Sequence, residues 1–241
     1  VKLSEIRRAG FDTETTSADP LTARIVTAAL VFTGAGRDDQ VFTWLINPGV
    51  EIPAEAAEIH GIDTARAVAD GADPKVALED IASKLTAALR FGMPVTAFNA
   101  SFDITVLDQD LRRHDLAPLC ERLDRQEPWT LLDPYVIDKA VDRYRRGKRK
   151  LAMVCEHYGI SLEDWHTADA DAWAALKVMD AIVDAYPDLG DMRPVELYAQ
   201  QQAWARQQAA SLQEYFRSEK AGDARDPDIV IDGSWPLKAA S

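Results

Sequence analysis

The order in which strand-like and helix-like patterns arrive constrains this chain most. Three segments of strand character come first and close together: Ile6 to Phe11, Arg24 to Thr33, and Gln40 to Ile46. Only Gly34-Ala35-Gly36-Arg37-Asp38-Asp39 separates the second from the third, and spacing this short favours antiparallel hairpins. After Asn47-Pro48-Gly49 helical patterns dominate. Pro53 to Ile59 is one, and Pro74 to Leu89 carries Val76, Leu78, Ile81, Leu85 and Leu89 at helix-like spacing. Val95 to Phe98 reads as a short buried strand and Phe102 to His114 as an amphipathic helix. Leu131 to Ile137 reads as a further strand, in which Pro134 confines pairing mainly to Tyr135 to Ile137. Lys150 to Tyr158 and Ala170 to Tyr186 are helical. A meander followed by alternating strands and helices predicts an α/β protein whose mixed sheet is covered on its faces.

Beyond Pro187 the composition changes. Residues 1–187 read as one domain and residues 188–241 as a C-terminal extension made of a long helix and a tail. Pro194 suits a helix start, and Val195 to Glu219 holds six glutamines over a predicted length of ~38 Å. Trp204, Leu212, Tyr215 and Phe216 give this helix one apolar stripe. Packing on the same chain is the expected use, with a protein partner or self-association as the second. Gly222 to Pro227 reads as a linker, after which Ile229-Val230-Ile231 and Trp235-Pro236-Leu237 are apolar enough to dock back.

Chemistry concentrates in three places. Asp12 and Glu14 lie in Gly10-Phe11-Asp12-Thr13-Glu14-Thr15-Thr16, Asp103 closes Asn99-Ala100-Ser101-Phe102-Asp103, and His166 precedes Asp171 by five positions. In a strand, Asp12 and Glu14 fall on one face ~7 Å apart. Asp103 falls where a strand gives way to a helix, with Ser101 a candidate cap, and Asp171 opens an apolar helix. Taken singly each has an ordinary reading. With 40 acids in 241 residues Asp-x-Glu arises by chance, and acids in a helix's first turn favour its dipole. Brought together, four carboxylates would repel unless cations held them. Two divalent ions serving phosphodiester cleavage is the simplest use of such a set. All-oxygen ligands favour Mg²⁺, with Mn²⁺ as substitute, and no paired-cysteine or paired-histidine spacing suggests zinc.

The net charge of −13 argues against a general phosphate-binding surface. One segment departs from it: Arg143, Arg145, Arg146, Lys148, Arg149 and Lys150 fall within eight residues free of acid. A solvated loop and a phosphate-facing loop are equally good readings. No stretch approaches the ~20 apolar residues of a membrane span, no signal segment opens the chain, and two cysteines suggest no disulfide framework. The expected location is the cytoplasm, away from membranes.

Together the three motifs resemble those of the DEDDh family, the RNase H-like 3′–5′ exonucleases that include the epsilon proofreading subunit of bacterial replicative polymerases and RNase T. Ile59-His60-Gly61-Ile62 and Leu151-Ala152-Met153-Val154-Cys155 resemble ancillary segments, with His60 and Cys155 structural. The resemblance covers roughly residues 5–187. It implies a mixed five-stranded RNase H-like sheet flanked by helices, with the helical extension beyond it. It further implies that Asp12, Glu14, Asp103 and Asp171 hold two Mg²⁺ ions and that His166 is the general base. Activity should then require metal and rise with pH through neutrality, as a histidine base dictates. The implied substrate is a single-stranded 3′ end, most simply DNA. Thr13, Thr15, Asn99 and Phe102 are expected to contact the terminal nucleotide, Phe102 by stacking. Arg145, Arg146, Lys148 and Arg149 are expected to follow the backbone. The extension would admit a DNA polymerase partner. An exoribonuclease and a non-catalytic nucleic-acid- or polymerase-binding scaffold are the alternatives.

Overall fold

The computed structural model describes residues 3–123, 129–161 and 167–238. Strands β1 (Arg8–Thr15), β2 (Ile25–Thr33) and β3 (Gln40–Leu45) form the antiparallel meander. Two short strands, β4 (Val95–Thr96) and β5 (Leu131–Leu132), add in parallel on the other side of β1. The sheet order is β3-β2-β1-β4-β5, the mixed five-stranded sheet that the motifs imply. Helices follow the meander: α1 (Ala54–His60), α2 (Thr64–Asp70) and α3 (Pro74–Arg90) before β4, then α4 (Ala100–Arg113) and α5 (Leu119–Arg122) after it. After β5 come α6 (Pro134–Val141), α7 (Leu151–His157), α8 (Ala168–Ala185), α9 (Pro187–Gly190) and α10 (Pro194–Arg217).

Period-two alternation along β1 divides its side chains between two helical layers. Ala9 and Phe11 are fully buried in the main core with Leu78, Ile81 and Leu85 of α3 and Ile104 and Leu107 of α4. Gly10 points the other way, toward α8, where Ala172 and Leu176 pack on Val31 of β2. The two faces of β1 therefore address different helices, and this parity decides where each acid of the site goes.

Two local expectations fail for identifiable reasons. Tyr135 to Ile137 is helix, not strand: Pro134 occupies the first helical position, and the Asp133 carboxylate accepts from the Tyr135 N–H at 3.0 Å as an N-cap. A proline that interrupts a strand pattern is equally suited to start a helix. Ser101 does not cap α4. The helix begins one residue after Asn99, which sits in the left-handed region (φ 63°, ψ 45°) and makes no side-chain cap. Its free N–H groups are satisfied from elsewhere, because Asp133 accepts from Asn99 N at 2.9 Å and from Ala100 N at 3.0 Å. One fully buried carboxylate thus caps two helices, a pairing of residues 34 positions apart that no local pattern encodes.

The C-terminal extension completes the β5 edge. Gln201 of α10 is fully buried; its Oε1 accepts from Asp133 N at 2.6 Å and its Nε2 donates to Leu131 O at 3.1 Å. Backbone groups that an edge strand would present to solvent are taken up by this one amide. The tail then returns across the body. Trp235 is 8% exposed, donates its indole N–H to Asp133 at 3.2 Å and lies against Tyr198, while Lys238 N donates to Thr105 Oγ1 at 2.9 Å. Among the described residues, no helix is long and apolar enough to cross a membrane.

Candidate active site

Asp12 and Glu14 stand on the face of β1 that looks toward α8, and Asp171 lies in the first turn of that helix. One carboxylate oxygen from each of the three falls within 4.8 Å of the others. What allows α8 so close is Gly10: a Cβ there would meet the Ala172 carbonyl oxygen at 2.5 Å. Ala172 is the neighbour of Asp171, so the missing side chain on β1 sets the gap across which the carboxylates meet. A lone glycine inside a strand pattern is the available sequence signal for such an approach. Gly10→Ala should displace the head of α8, lowering turnover about 10²-fold and stability by about 1–3 kcal/mol. Parallel rate measurements and denaturant melts check this, and parental values in both would show that the close approach is dispensable.

Asp103 arrives from the opposite layer. It is 3% exposed, and its Oδ1 accepts from Thr13 N at 3.0 Å and from Thr13 Oγ1 at 2.7 Å. Thr13 lies between Asp12 and Glu14 but points to the α4 side, so strand parity sends it to Asp103. Asp103 does not join the three-carboxylate group, although its charge is the strongest of the three that act on Asp12. α4 is itself held in place by a second buried acid. Asp110 accepts from Ile25 N at 2.7 Å, and Ile25 is the β2 partner of Thr15. Arg113 bonds both Asp110 and the backbone carbonyl of Ala23.

Burial and mutual repulsion make Asp12, Glu14 and Asp103 resist ionisation. Burial, then the charges of Asp103, Asp171 and Glu14, holds the Asp12 carboxyl well above the usual carboxylate range. Burial and the Asp171 charge push Glu14 up to about 7. Burial also raises Asp103 to about 7, against the lowering effect of its hydrogen bonds. Carboxyl groups that resist ionisation together are suited to a divalent cation, which removes the mutual repulsion and replaces lost hydration with oxygen ligation. The donor set is all oxygen, as Mg²⁺ or Mn²⁺ requires.

Beside Glu14 opens a cleft of about 590 Å³. Thr13, Thr15, Asn99 and Phe102, the four residues expected at the terminal nucleotide, all line it. Phe102 is half-buried, but Thr13 Oγ1 is engaged by Asp103 and Thr15 Oγ1 by Ser17 O at 2.8 Å. Sequence reasoning missed the opposite wall, where Pro53, Ile59 and His60 of the α1 region join in. Ile59 is 59% exposed, an apolar side chain held in solvent at the rim. His60 accepts from Ile62 N at 3.2 Å through Nδ1, and burial lowers its pKa. Cys155 is fully buried, and burial raises its thiol to about 11, which leaves it chemically inert. His166 lies outside the described residues.

The basic segment divides in two. Arg145 and Arg149 both turn inward to the fully buried carboxylate of Asp138, Arg149 Nε at 2.8 Å, and Tyr158 Oη adds a third bond at 2.9 Å. Their side chains are 15% and 10% exposed. The reason is Asp138 itself, a buried charge on α6 that needs cationic partners. Arg143, Arg146, Lys148 and Lys150 remain exposed.

A five-stranded mixed sheet carrying clustered carboxylates on its central strand and on a helix packed against it defines a metal-dependent nuclease architecture. The sequence model of the RNase T family, described as Exonuclease, matches residues 9–179, and the chain belongs to this exonuclease family. The DEDDh resemblance of the motifs is thereby met. No curated protein matches the chain. Among solved structures, Escherichia coli Exonuclease I in complex with a dT13 oligonucleotide superposes with a TM-score of 0.64 at 19% identity. That match covers 78% of this chain and 43% of the other. A moderately thermophilic Exonuclease I from Methylocaldum szegediense gives 0.63 at 22%, covering 77% and 42%. The present chain thus spans less than half the length of these relatives, and the likeness is one of fold.

Proposed function

We propose that this protein is a 3′–5′ exonuclease that hydrolyses the terminal phosphodiester bond of single-stranded DNA, using two Mg²⁺ ions. The observation that carries this reading is the convergence of Asp12, Glu14 and Asp171 beside a cleft that Phe102 helps to line. These three would hold the ions, with Asp103 completing the set through the oxygen that Thr13 leaves free. The ions would supply Lewis-acid stabilisation of the charge that develops on the scissile phosphate. The chain's own residues do the rest. Phe102 and Ile59 offer apolar faces to the terminal base, and Asn99 and the Thr13–Thr15 segment offer polar contacts at the wall. His166, carried by its motif, takes a proton from the attacking water, for which an imidazole pKa near neutrality is suited. Mn²⁺ should substitute for Mg²⁺.

DNA is favoured because the solved relatives hold oligodeoxynucleotides such as dT13. Residues 1–187 form the exonuclease domain in this reading. Residues 188–241 form an extension held to it by Gln201 and Trp235; of the α10 stripe, Trp204 packs on the body while Leu212 and Tyr215 stay exposed. The test is one gel: single strands of DNA and of RNA, labelled at either end, are incubated with protein and Mg²⁺. Mononucleotides should appear at once from 3′-labelled DNA, and a descending ladder from 5′-labelled DNA. Internal fragments, 5′ polarity or exclusive cutting of RNA would refute the proposal.

A further inference from the structure

Between α6 and α10 lies a second groove, of about 360 Å³, lined by none of the clustered carboxylates and walled on one side by the C-terminal helix. Its cations are Lys139, Arg143 and Arg149, and among the described residues no acid lines it, in a chain where 40 of 241 residues are acidic. Arg149 is committed to Asp138. Lys139 and Arg143 are not committed in this way. The Lys139 ammonium rests over the Tyr135 ring at 4.7 Å and the Arg143 guanidinium over Tyr144 at 5.8 Å, and neither pairs with a carboxylate among the described residues. The opposite wall is neutral: Trp204 and Tyr215 present aromatic surface, and Gln207 and Ser211 present polar groups.

We infer that this groove is a second binding site for nucleic acid, taking the sugar–phosphate backbone of a single strand upstream of the 3′ end held in the cleft. The inference rests on the exonuclease reading for the identity of the strand. Cations with no carboxylate partner of their own suit phosphates, and aromatic faces suit bases without sequence preference. The combination matches a single strand and matches poorly any acidic protein surface, for which aromatic walls have no special use. Position agrees. Asp133, at the head of α6, holds the backbone of Asn99 in the cleft wall. Lys139 follows six residues later, only ~9 Å along the helix. A strand leaving the cleft can therefore reach the groove within a few nucleotides. The exposed Lys148 and Lys150 belong to the same segment.

The experiment measures binding without turnover. Full-length protein carrying Asp12→Ala, in EDTA, is titrated against 5′-labelled oligo-dT of about twenty nucleotides and against a trinucleotide. Adding Lys139→Glu with Arg143→Glu should weaken binding of the long strand roughly 10-fold or more. The log–log salt slope should fall by about 1.4, as loss of two single-strand phosphate contacts requires. Trinucleotide affinity should not change. Gln207→Lys, at an exposed position, should instead tighten the long strand and steepen the slope, which guards against a reversal variant that fails to fold. Unchanged length and salt dependence in both variants would overturn the groove. So would a parental dimer, seen by sedimentation, that the reversal abolishes, since the face would then be a self-association surface. The exonuclease reading fails separately: a protein that binds long strands through these residues but releases no mononucleotide would retain the groove and lose the catalytic proposal.

Discussion

Asp12→Asn is expected to reduce Mg²⁺-dependent hydrolysis by at least ~10³-fold while making the metal-free protein more stable. The kinetic effect follows from losing a ligand at the centre of the cluster: several kcal/mol of transition-state stabilisation come from ions so held, and ~4 kcal/mol is about 10³-fold. The stability effect has the opposite sign because the wild-type carboxylate is unfavourable without metal. It is desolvated and faces Asp103, Asp171 and Glu14, and the amide has nearly the same shape without the charge. A gain of about 1–2 kcal/mol is reasonable for removing one such charge, or roughly 2–8 °C in a chain of this length. Thermal melts with EDTA and with Mg²⁺, run alongside the gel assay, separate the two effects. Wild type should gain stability from Mg²⁺ and the variant should not. A variant that turns over normally, or that keeps the wild-type response to Mg²⁺, would disprove ligation by Asp12.

The sites of agreement between sequence and structure are those where the signal is local and repeated. Three closely spaced strand patterns produced the meander, and the spacing of Leu78, Ile81 and Leu85 produced α3 with its buried face. The carboxylate cluster was legible for a different reason: Asp12 and Glu14 share a strand face by parity, and Asp171 heads a helix that the apolar run had already located. Failures fell where long-range contacts overrule local preference. Asp133 caps a helix 34 residues before it, so the true start of α4 could not be read nearby, whereas the helical fate of Tyr135 to Ile137 has a local signal in Asp133-Pro134 that the strand pattern masked. Arg145 and Arg149 look like any other members of a basic run until Asp138 is known to be buried among them. Thr13 shows both sides of the matter. Its place between two acids suggested a ligand contact, while its parity directs it to Asp103 on the far layer. Short elements were also hard to find, and α2, at seven residues with only Ala67 buried, carries almost no periodic signal.

The same carboxylates predict that stability and pH will be related oppositely with and without metal. Glu14 and Asp103 are both pushed up to about 7 in the folded protein, Asp133 to about 6, and Asp12 is raised as well. Unfolded, these groups titrate near 4. Between the two values the native state binds more protons than the unfolded state, so stability must fall as pH rises through this range. Metal-free protein should therefore be more stable near pH 5 than near pH 8, by roughly 3 kcal/mol once the coupling among these neighbours is discounted. Divalent ions bind only the ionised carboxylates and displace their protons, so Mg²⁺ stabilisation should be negligible at the acid end and grow with pH. Melts across this range in EDTA should slope downward and those in excess Mg²⁺ should be flat or rise. Asp133 provides an internal control. It caps α4 and α6 through backbone N–H groups and has no part in the three-carboxylate group, so its own small destabilising contribution with rising pH should persist within the flat or rising trend when metal is bound. An EDTA series that rises with pH would mean that the cluster is already neutralised by the protein's own groups, and the requirement for metal would lose its physical basis.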